Sequence, residues 1–560
     1  MMARELHPVL EPETPPEVPA PRPARRSGRP WLVPLLVVLL LAQMAFAMVT
    51  TAVQQTPTID EPVYVGTAAD SLHEHEIRYN PEHPPLGKLV IAVGVALAEP
   101  RYDPSFSGDQ GQVGRHLLYE AGNDPWQVML WARLPVIVLT LAFGLVVLAF
   151  ARELVGRAGG VVALALYGFS PDVIAHGSLA TLDVPTAGFL LTSVWLLWRA
   201  RRRPRLYVPL AGVAAGAALA TKMSALAAVP VLLALAAWSV WRHDSHDSHD
   251  RRRAPARAAA AAGVVAVVAI AVVWLSYLVV DPRLRWSPQQ HVPVVHGLRA
   301  LLVDLMPFPE AYRDGMRVQF GFENHPWQGF LFGRLYTGSL WYYLPAALLV
   351  KTPLGMLALW AAGAVAVVAV RRLRPAAPYL LAPTAVLLAA AMTGSRDFGT
   401  RYAVFVPMFL AVAAAGVLAV RRRWAGVAAG ALVLFVAVSS LRTFPYYLPY
   451  SNEAFGGPAK THLRLHDSNV DWGQDLGRLA DRLREQYPAE RIWLVYKGSG
   501  VPSYYGIDAS DPRGVPLDDV HGLLVVSDSS VAKATSRLAE LIDSSRSIDQ
   551  VGHSITIYRR

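Results

Sequence analysis

Long apolar runs alternate with short polar connections along most of the chain, which predicts membrane-spanning helices rather than a soluble fold. A helix needs roughly 20 apolar residues to cross a hydrocarbon layer about 30 Å thick. The pattern predicts eleven spans, near residues 31–50, 127–150, 158–170, 185–198, 206–220, 222–241, 258–280, 342–370, 376–393, 402–420 and 424–441. The run 86–98 is shorter and follows two prolines, so we expect it to lie along the membrane surface.

The basic residues are distributed unevenly between the two sides of this predicted topology. One set of connections holds 23 of the 52 basic residues and only 8 of the 42 acidic ones: 1–30, 151–157, 199–205, 242–257, 371–375 and 421–423. Short connections rich in Lys and Arg face the cytoplasm. The pattern therefore predicts a multi-pass plasma-membrane protein with a cytoplasmic N-terminus and, because the span count is odd, an extracytoplasmic C-terminus.

The predicted fold class is an all-α polytopic membrane protein with about eleven transmembrane helices and a small extracytoplasmic α/β domain. Residues 1–30 are rich in proline and charge, and we expect a disordered cytoplasmic tail. Residues 31–441 form the predicted transmembrane domain, with extracytoplasmic loops at 51–126 and 281–341. Residues 442–560 form the predicted α/β domain. Its pattern combines helical spacing of Leu476, Leu479, Leu483 and Tyr487 with β-prone runs at 492–496, 523–527 and 554–558.

Composition removes several classes of function. Charged residues make up 17% of the chain and hydrophobic ones 53%, so the net charge of +10 indicates membrane orientation rather than a nucleic-acid partner. The chain has no cysteine, which excludes disulfides, thiolate metal sites and a cysteine nucleophile. The sequence also has no phosphate-binding loop motif, and no nucleotide site is expected.

Three carboxylates lie at the predicted outer surface, where acid–base chemistry has access to an aqueous acceptor. Asp60 and Glu61 are adjacent and follow the first span, whereas Asp183 precedes the fourth. A carboxylate there can take the proton of an attacking hydroxyl. The alternative is structural, because acidic residues also favour the first turn of a helix and cap its N-terminus. The residues alone leave both interpretations open.

Basic residues at the same predicted edge suit an anionic lipid head group. They are Lys88, Arg133, Lys222, Lys351, Arg396 and Arg401. Arginine binds phosphate as a two-pronged donor and lysine as a point charge. The alternative for any one of them is simple extension of the side chain toward the head groups. Lys351 is different, since about nine apolar residues precede it in its span, and it needs a polar partner or a water-filled cavity.

Histidines and aromatic residues of the outer loops complete the candidate site. We expect His83, His325 and Tyr342 to contact the sugar or the acceptor, although interfacial aromatic belts also explain much of the aromatic content. Carboxylates near histidines leave a hard divalent ion open, but no ligand spacing matches a known zinc pattern. We assign no metal ligand and no certain cofactor.

The order of these motifs resembles that of a known superfamily. The motifs are Asp60-Glu61, HPPLGK at 83–88, Arg133, TLDVP at 181–185 and Thr221-Lys222. This order is similar to that of the protein O-mannosyltransferases and aminoarabinose transferases, which are membrane glycosyltransferases of the GT-C class. Later segments look like those of bacterial members: Trp341-Tyr342-Tyr343, KTPL at 351–354, FGTRY at 398–402 and DSNVDWGQDL at 467–476.

The resemblance implies a reaction and roles for individual residues. Asp60 matches the family's catalytic acidic position, where the carboxylate deprotonates the acceptor hydroxyl. Glu61 matches its acceptor-orienting neighbour, and Asp183 matches a second acidic position at the site. Lys88, Arg133 and Arg401 occupy places suited to the donor phosphate, and Lys222 and Lys351 are further phosphate candidates. The implied donor is a polyprenyl-phosphate sugar, and mannose is one candidate for the sugar. The implied acceptor is a hydroxyl of a protein, lipid or glycan. The implied reaction inverts the anomeric carbon.

A lipid or solute transporter is the alternative from another functional class, because many spans with embedded charges also describe a permeation pathway. It predicts repeated halves and polar residues along the spans. The spans at 206–280 and 342–441 are nearly bare of charge apart from Lys222 and Lys351, and the ionisable residues collect on one side. This distribution favours chemistry at the membrane surface.

Overall fold

The computed structural model describes residues 31–244 and 252–560 and is mainly helical. The helices are Leu32–Gln54, Glu61–His73, Pro85–Ala98, Gln110–Arg115, Pro125–Val155, Arg157–Gly168, Pro171–Gly177, Asp183–Ala200, Pro204–Thr221, Val229–Asp244, Ala254–Val280, Gly297–Asp304, Glu310–Glu323, Tyr343–Lys351, Leu354–Ala369, Ala377–Ala391, Phe405–Ala414, Arg423–Thr443, Leu476–Gln486, Asp528–Ala532 and Ser536–Asp543. The strands are Gln328–Leu331, Arg334–Thr337, Ile492–Val495, Leu523–Ser527, Arg546–Val551 and Ile555–Arg559. The predicted tail at 1–30 lies outside the described residues.

Five helical segments of the described chain are long and apolar enough to cross a membrane. They are Leu32–Gln54, Pro125–Val155, Met223–Asp244, Ala254–Val280 and Arg423–Thr443. Two bent helix pairs raise this number to seven if each pair is one span. Each of the five coincides with a predicted span. The count of eleven stays a prediction, because the remaining apolar helices are shorter or less apolar than a full crossing.

Two predicted spans belong to bent helix pairs rather than to single straight helices, and a proline stands at each bend. The span at 158–170 ends at Gly168, and a second helix begins at Pro171 with a bend of 62°. The span at 342–370 bends by 119° between Lys351 and Leu354, where Thr352-Pro353 stands. Proline has no backbone N–H and disfavours helical geometry in the residue before it. The second break leaves Lys351 at a helix end.

The predicted loop 51–126 folds into helices that pack against the long apolar helices. Helices Glu61–His73 and Pro85–Ala98 share a buried apolar core with the N-terminal part of helix Pro125–Val155. Ala180 and Leu182, which precede helix Asp183–Ala200, belong to the same core. This packing holds the N-terminal ends of helices Glu61–His73 and Asp183–Ala200 in one structural unit.

The carboxy-terminal residues form a four-stranded sheet in the order Ile492–Val495, Leu523–Ser527, Ile555–Arg559, Arg546–Val551. The first pair is parallel and the other two are antiparallel. Apolar clusters lie on both faces of the sheet, one of them with helix Leu476–Gln486. Three strands coincide with the predicted β-prone runs. The pattern missed Arg546–Val551 because its mixed polar sequence has no clear apolar alternation.

Candidate active site

A cavity of about 550 Å³ collects polar residues from distant parts of the chain. Its polar lining includes Asp60, Asn80, Glu82, His83, Gln110, Asp183, Lys222, Gln319, Glu323, Arg396 and Arg401. Its apolar lining includes Leu190, Leu226, Met316, Phe320, Leu387, Ala391, Val404 and Phe405. The cavity therefore joins a charged region to an apolar one. This arrangement suits a ligand with a charged head and a hydrocarbon tail.

Asp60 forms an ion pair with Arg401 across 341 residues of sequence. Asp60 directly precedes helix Glu61–His73, and its Oδ2 accepts a hydrogen bond of 2.6 Å from Nη1 of Arg401. Nη2 of Arg401 donates to the Tyr402 hydroxyl at 3.2 Å. Its Nε is buried and has no hydrogen-bond partner within the described residues. This donor is thus unpaired among the described residues and has almost no solvent-accessible surface.

Asp183 and Lys222 form a second ion pair in the cavity lining. Nζ of Lys222 donates to Oδ1 of Asp183 at 2.5 Å. Asp183 is the first residue of its helix, and Lys222 directly follows helix Pro204–Thr221, so both side chains stand at helix ends. The Lys222 ammonium also lies 5.5 Å from the centre of the Tyr402 ring. Two of the carboxylates that line the cavity, Asp60 and Asp183, are therefore each paired with a cation.

Glu61, in contrast, is buried away from the cavity and is fully bonded to Arg133. Its two oxygens accept from Nε and Nη2 of Arg133, each at 2.7 Å. The backbone N–H groups of Thr58 and Ala180 also donate to it, at 2.9 and 2.7 Å. Burial alone would raise the pKa of Glu61, but Arg133 and these N–H groups outweigh burial, and the pKa lies below its ordinary value. Glu61 is therefore a buried anion without a free oxygen.

Arg133 does not line the cavity in this structure. Its remaining donors bind the carbonyls of Ala52, Gln55 and Thr56 at 2.7 to 3.2 Å. Arg133 and Glu61 are both completely buried. The predicted phosphate contact of Arg133 is thus replaced by a pair that ties helix Pro125–Val155 to the residues before Asp60.

His83 lines the cavity, and Lys88 binds the backbone of the turn that contains His83. Nζ of Lys88 donates to the carbonyls of Asn80 and His83, both at 2.8 Å. Lys88 is buried and does not line the cavity. Burial, reinforced by nearby cations that include Lys222, holds the pKa of His83 well below its ordinary value, so the ring is neutral. Lys88 therefore shapes the 80–83 turn and makes no contact with the cavity.

Three other predicted site residues lie apart from the cavity. Lys351 is buried, and its Nζ donates to the carbonyls of Leu448 and Asn469 at 2.5 and 2.9 Å, which supplies the polar partners that its position requires. His325 is exposed and packs on the ring of Trp327, a cavity residue. Tyr342 is 43% exposed. The structure thus gathers Asp60, His83, Asp183, Lys222, Arg396 and Arg401 around the cavity, and leaves the other predicted residues outside.

Glu82 is a cavity residue that the sequence analysis missed. Its two oxygens accept from the side-chain amides of Gln110 and Gln290 at 2.9 and 3.1 Å. Gln319 donates to the Glu82 carbonyl at 2.9 Å. Its position beside His83 was the available signal, but Gln110 and Gln290 are 28 and 208 residues away along the chain and belong to no motif. This polar wall offers hydrogen-bonding groups to a ligand such as a sugar.

Within residues 31–244 and 252–560, no group of three or more His, Asp or Glu side chains is arranged to hold a metal ion. The carboxylates of the cavity are instead bonded to cations or amides, as in the pairs of Asp60 with Arg401 and Asp183 with Lys222. The residues present therefore do not fit a divalent ion, and we derive no step through one.

The motif resemblance has an independent counterpart in a family model. Residues 37–280 match the model described as dolichyl-phosphate-mannose-protein mannosyltransferase. This region is somewhat less than half of the chain and contains Asp60, Glu61, Asp183 and Lys222. It confirms the predicted resemblance over this region, while a bacterial origin stays a prediction. Arg401 and the 467–476 motif lie beyond the match. No curated protein matches the chain.

Several solved structures of membrane glycosyltransferases are similar to the chain at low identity. The protein O-mannosyltransferase Pmt1-Pmt2 complex of S. cerevisiae has 16% identity and a TM-score of 0.37, and covers 46% of this chain and 34% of that chain. ArnT from Cupriavidus metallidurans has 16% identity and a TM-score of 0.47, with 93% and 97% covered. The oligosaccharyltransferase of Archaeoglobus fulgidus has 12% identity and a TM-score of 0.45, with 82% and 59% covered. The chain thus spans about a third of the length of the yeast protein that it matches. At these TM-scores the likenesses carry no argument about the reaction.

Proposed function

We propose that this protein is a membrane glycosyltransferase that moves a sugar from a polyprenyl-phosphate donor to an extracytoplasmic hydroxyl. The observation that carries the proposal is the cavity, which sets Asp60 beside Arg401 at 2.6 Å and continues into an apolar lining. The family match over residues 37–280 supports it independently. Mannose is one candidate sugar, and a protein, lipid or glycan hydroxyl is the acceptor class.

In the proposed reaction, Asp60 accepts the proton of the acceptor hydroxyl. The hydroxyl oxygen attacks the anomeric carbon as the bond from that carbon to the phosphate oxygen breaks, and the polyprenyl phosphate leaves with the bonding electrons. One displacement of this kind inverts the anomeric carbon. Negative charge develops on the departing oxygen, so cations fixed beside it stabilise the transition state.

The cations of the cavity lining are the proposed phosphate ligands. Lys222 and Arg401 line the cavity. Arg396 also faces the cavity, although its Nη2 already donates to Gln319 at 2.7 Å. The lipid tail would occupy the apolar side near Leu387 and Phe405. Glu61 and Arg133 then act as a buried support for Asp60, and Lys88 as a support for His83.

Turnover by the purified protein tests the proposal. The protein in lipid nanodiscs is given polyprenyl-phosphate mannose or another polyprenyl-phosphate sugar, and the release of polyprenyl phosphate is measured. We expect release by the wild type and by Asp508→Asn, a change at an exposed acid outside the cavity lining. Mass spectrometry of envelope glycans and glycoproteins in a deletion strain identifies the acceptor. Transport of a fluorescent polyprenyl lipid across the bilayer, with no donor cleaved, would favour the transporter instead.

A further inference from the structure

The ten residues from Asp467 to Leu476 form a buried segment that lines no part of the cavity. We call it the 467–476 segment; its sequence is DSNVDWGQDL. It connects the last apolar helix, through the loop after it, to helix Leu476–Gln486. Five aspartates, asparagines or glutamines in such a short buried stretch need specific partners, because buried polar groups are costly when they are not hydrogen-bonded. Some of those partners directly precede Arg401 and Asp60, the two residues of the proposed reaction centre.

The first half of the 467–476 segment binds the chain just before Arg401. The backbone N–H and the hydroxyl of Ser468 both donate to the Phe398 carbonyl, at 3.1 and 2.6 Å. The N–H of Thr400 donates to Oδ1 of Asn469 at 3.1 Å. Gly399 lies between them with a φ of 150°, and a Cβ there would come within 2.2 Å of the Ser468 hydroxyl. The approach is thus close enough to require glycine.

The second half of the 467–476 segment binds the chain just before Asp60. The N–H of Ile59 donates to the Trp472 carbonyl at 3.0 Å, and the N–H of Thr56 donates to the Gln474 carbonyl at 3.0 Å. The Thr56 hydroxyl donates to the Gly473 carbonyl at 3.1 Å. These bonds fix the backbone that leads into Asp60, one residue after Ile59.

Trp472 joins the two halves by packing against Arg401 itself. The Arg401 guanidinium carbon lies 4.3 Å from the centre of the Trp472 ring and 5.0 Å from that of Tyr402. Trp472 is 1% exposed. An aromatic face attracts a guanidinium and limits the rotation of its plane. The ring thus restricts the orientation in which Nη1 of Arg401 meets Asp60.

We propose that the 467–476 segment positions Asp60 and Arg401 against each other, and that Trp472 is the positioning residue of the Arg401 guanidinium. The inference rests on the proposed function, since the ion pair is the proposed reaction centre. It extends the active-site scaffold beyond the family match, which ends at residue 280. Reaction rates are sensitive to displacements of about 1 Å in the groups that act on the substrate. A loosened guanidinium would therefore lower kcat.

A purely structural role for Trp472 is the competing explanation, and the chain contains a matched control. Trp493 is 2% exposed, and the guanidinium carbon of Arg491 lies 4.3 Å from its ring centre. Trp493 belongs to strand Ile492–Val495 and does not line the cavity. Loss of Trp493 removes a buried ring and an equivalent cation contact without touching Arg401.

A double-mutant cycle on turnover tests the proposal in full-length protein. We expect Trp472→Leu to lower kcat about 10- to 100-fold per folded molecule, with a smaller change in the KM for the donor, and Trp472→Phe to retain most of the turnover. In an Arg401→Lys background, Trp472→Leu should cost less than about threefold, because the group through which it acts is already altered. Trp493→Leu should have the same small effect in both backgrounds. If the effects of Trp472→Leu and Arg401→Lys multiply, or if Trp472→Leu behaves like Trp493→Leu, the positioning role is overturned.

A second cycle measures thermal unfolding of the same variants and does not depend on any substrate. We expect the Tm changes of Trp472→Leu and Arg401→Lys to be non-additive, and those of Trp493→Leu and Arg401→Lys to be additive. Additive changes for the first pair would overturn the contact on which the proposal stands. Absence of wild-type turnover with coupling retained would overturn the proposed function and the catalytic role, but not the contact.

Discussion

Adjacent acidic residues can have opposite roles, as Asp60 and Glu61 do here. Asp60 keeps 29% of its side chain exposed and faces the cavity, whereas Glu61 is completely buried and holds Arg133 through two bonds. The sequence places both at a helix start, and only the packed structure separates them. The difference between them is set by partners more than 70 positions away along the chain.

This contrast predicts different effects of two neutralising substitutions on stability. Removing one partner of a buried ion pair typically costs about 3–5 kcal/mol, so Glu61→Gln should lower Tm markedly by leaving Arg133 as an uncompensated buried charge. Asp60→Asn should change the unfolding free energy by no more than about 1 kcal/mol, as for partly exposed pairs. Thermal unfolding in one detergent compares them. Equal Tm values for the two variants would contradict the assignment of Glu61 as a buried support.

The residue scale also shows what the sequence could and could not predict about the site. Asp60, Asp183, Lys222, Arg401 and His83 carry chemical types that are unusual beside a membrane, and the cavity gathers all five. Arginine and lysine are ambiguous in sequence, because a buried ion pair and a ligand contact require the same side chain. For that reason, the sequence could not show that three of the predicted phosphate ligands bind protein groups instead, namely Arg133, Lys88 and Lys351.

At the scale of elements, the 467–476 segment contains a carboxyl group that titrates near neutral pH. Burial raises the pKa of Asp471 to about 7, although Lys497 acts in the opposite direction. The carboxyl group accepts hydrogen bonds from the backbone N–H groups of Gly473 and Ser529, at 3.1 and 3.2 Å. Protonation of this group is therefore linked to the folding of the segment.

The sign of this linkage gives a prediction for Asp471. Its folded-state pKa is above the unfolded value of about 3.9, so the stability that protonation contributes is full below about pH 4 and is lost as pH rises through about 7. The Tm should therefore decrease less between pH 5 and pH 8 in Asp471→Asn than in the wild type. Asp467→Asn is the control. Burial alone would raise the pKa of Asp467, but its pairing with Lys497 outweighs burial and lowers this pKa to about 2, outside the range from pH 5 to pH 8. Parallel Tm curves for the wild type and Asp471→Asn would refute the prediction.

Elements were predicted well where apolar periodicity alone decides them, and less well where a local break does. Helices Ala254–Val280 and Arg423–Thr443 follow from length and composition. The 119° bend after Lys351 follows from Thr352-Pro353, a signal that was present but outweighed by the long apolar run around it. The contacts of the 467–476 segment had no local signal, because they join positions about 70 and 420 residues apart.

At the scale of the whole molecule, the predicted topology places the cavity and the carboxy-terminal sheet outside the cytoplasm. The basic connections carry this prediction, and no contact within the chain tests it. The proposed reaction depends on this orientation, since it uses a donor that has already been carried across the membrane. Orientation is therefore a separate requirement of the proposed function.

Cysteine labelling tests the orientation cleanly, because the chain has no native cysteine. Cysteines at Ser105 and Ser503, which are exposed in the structure, should react with an impermeant thiol reagent in intact cells. A cysteine at Ser245, in the predicted cytoplasmic connection 242–257, should react only after the cells are opened. If the cysteine at position 245 is labelled in intact cells while those at positions 105 and 503 are protected, the predicted topology is inverted.

The role of Asp60 as general base in the proposed transfer is tested most directly by the single-turnover rate of Asp60→Asn, measured with a polyprenyl-phosphate sugar that the wild type cleaves. We expect a rate about 10²–10⁴-fold lower than that of the wild type, which is the range for a lost general base. Donor binding and Tm should stay close to those of the wild type. Asp508→Asn serves as the matched control and should retain the wild-type rate. A folded Asp60→Asn protein that releases polyprenyl phosphate at the wild-type rate would exclude Asp60 as the general base.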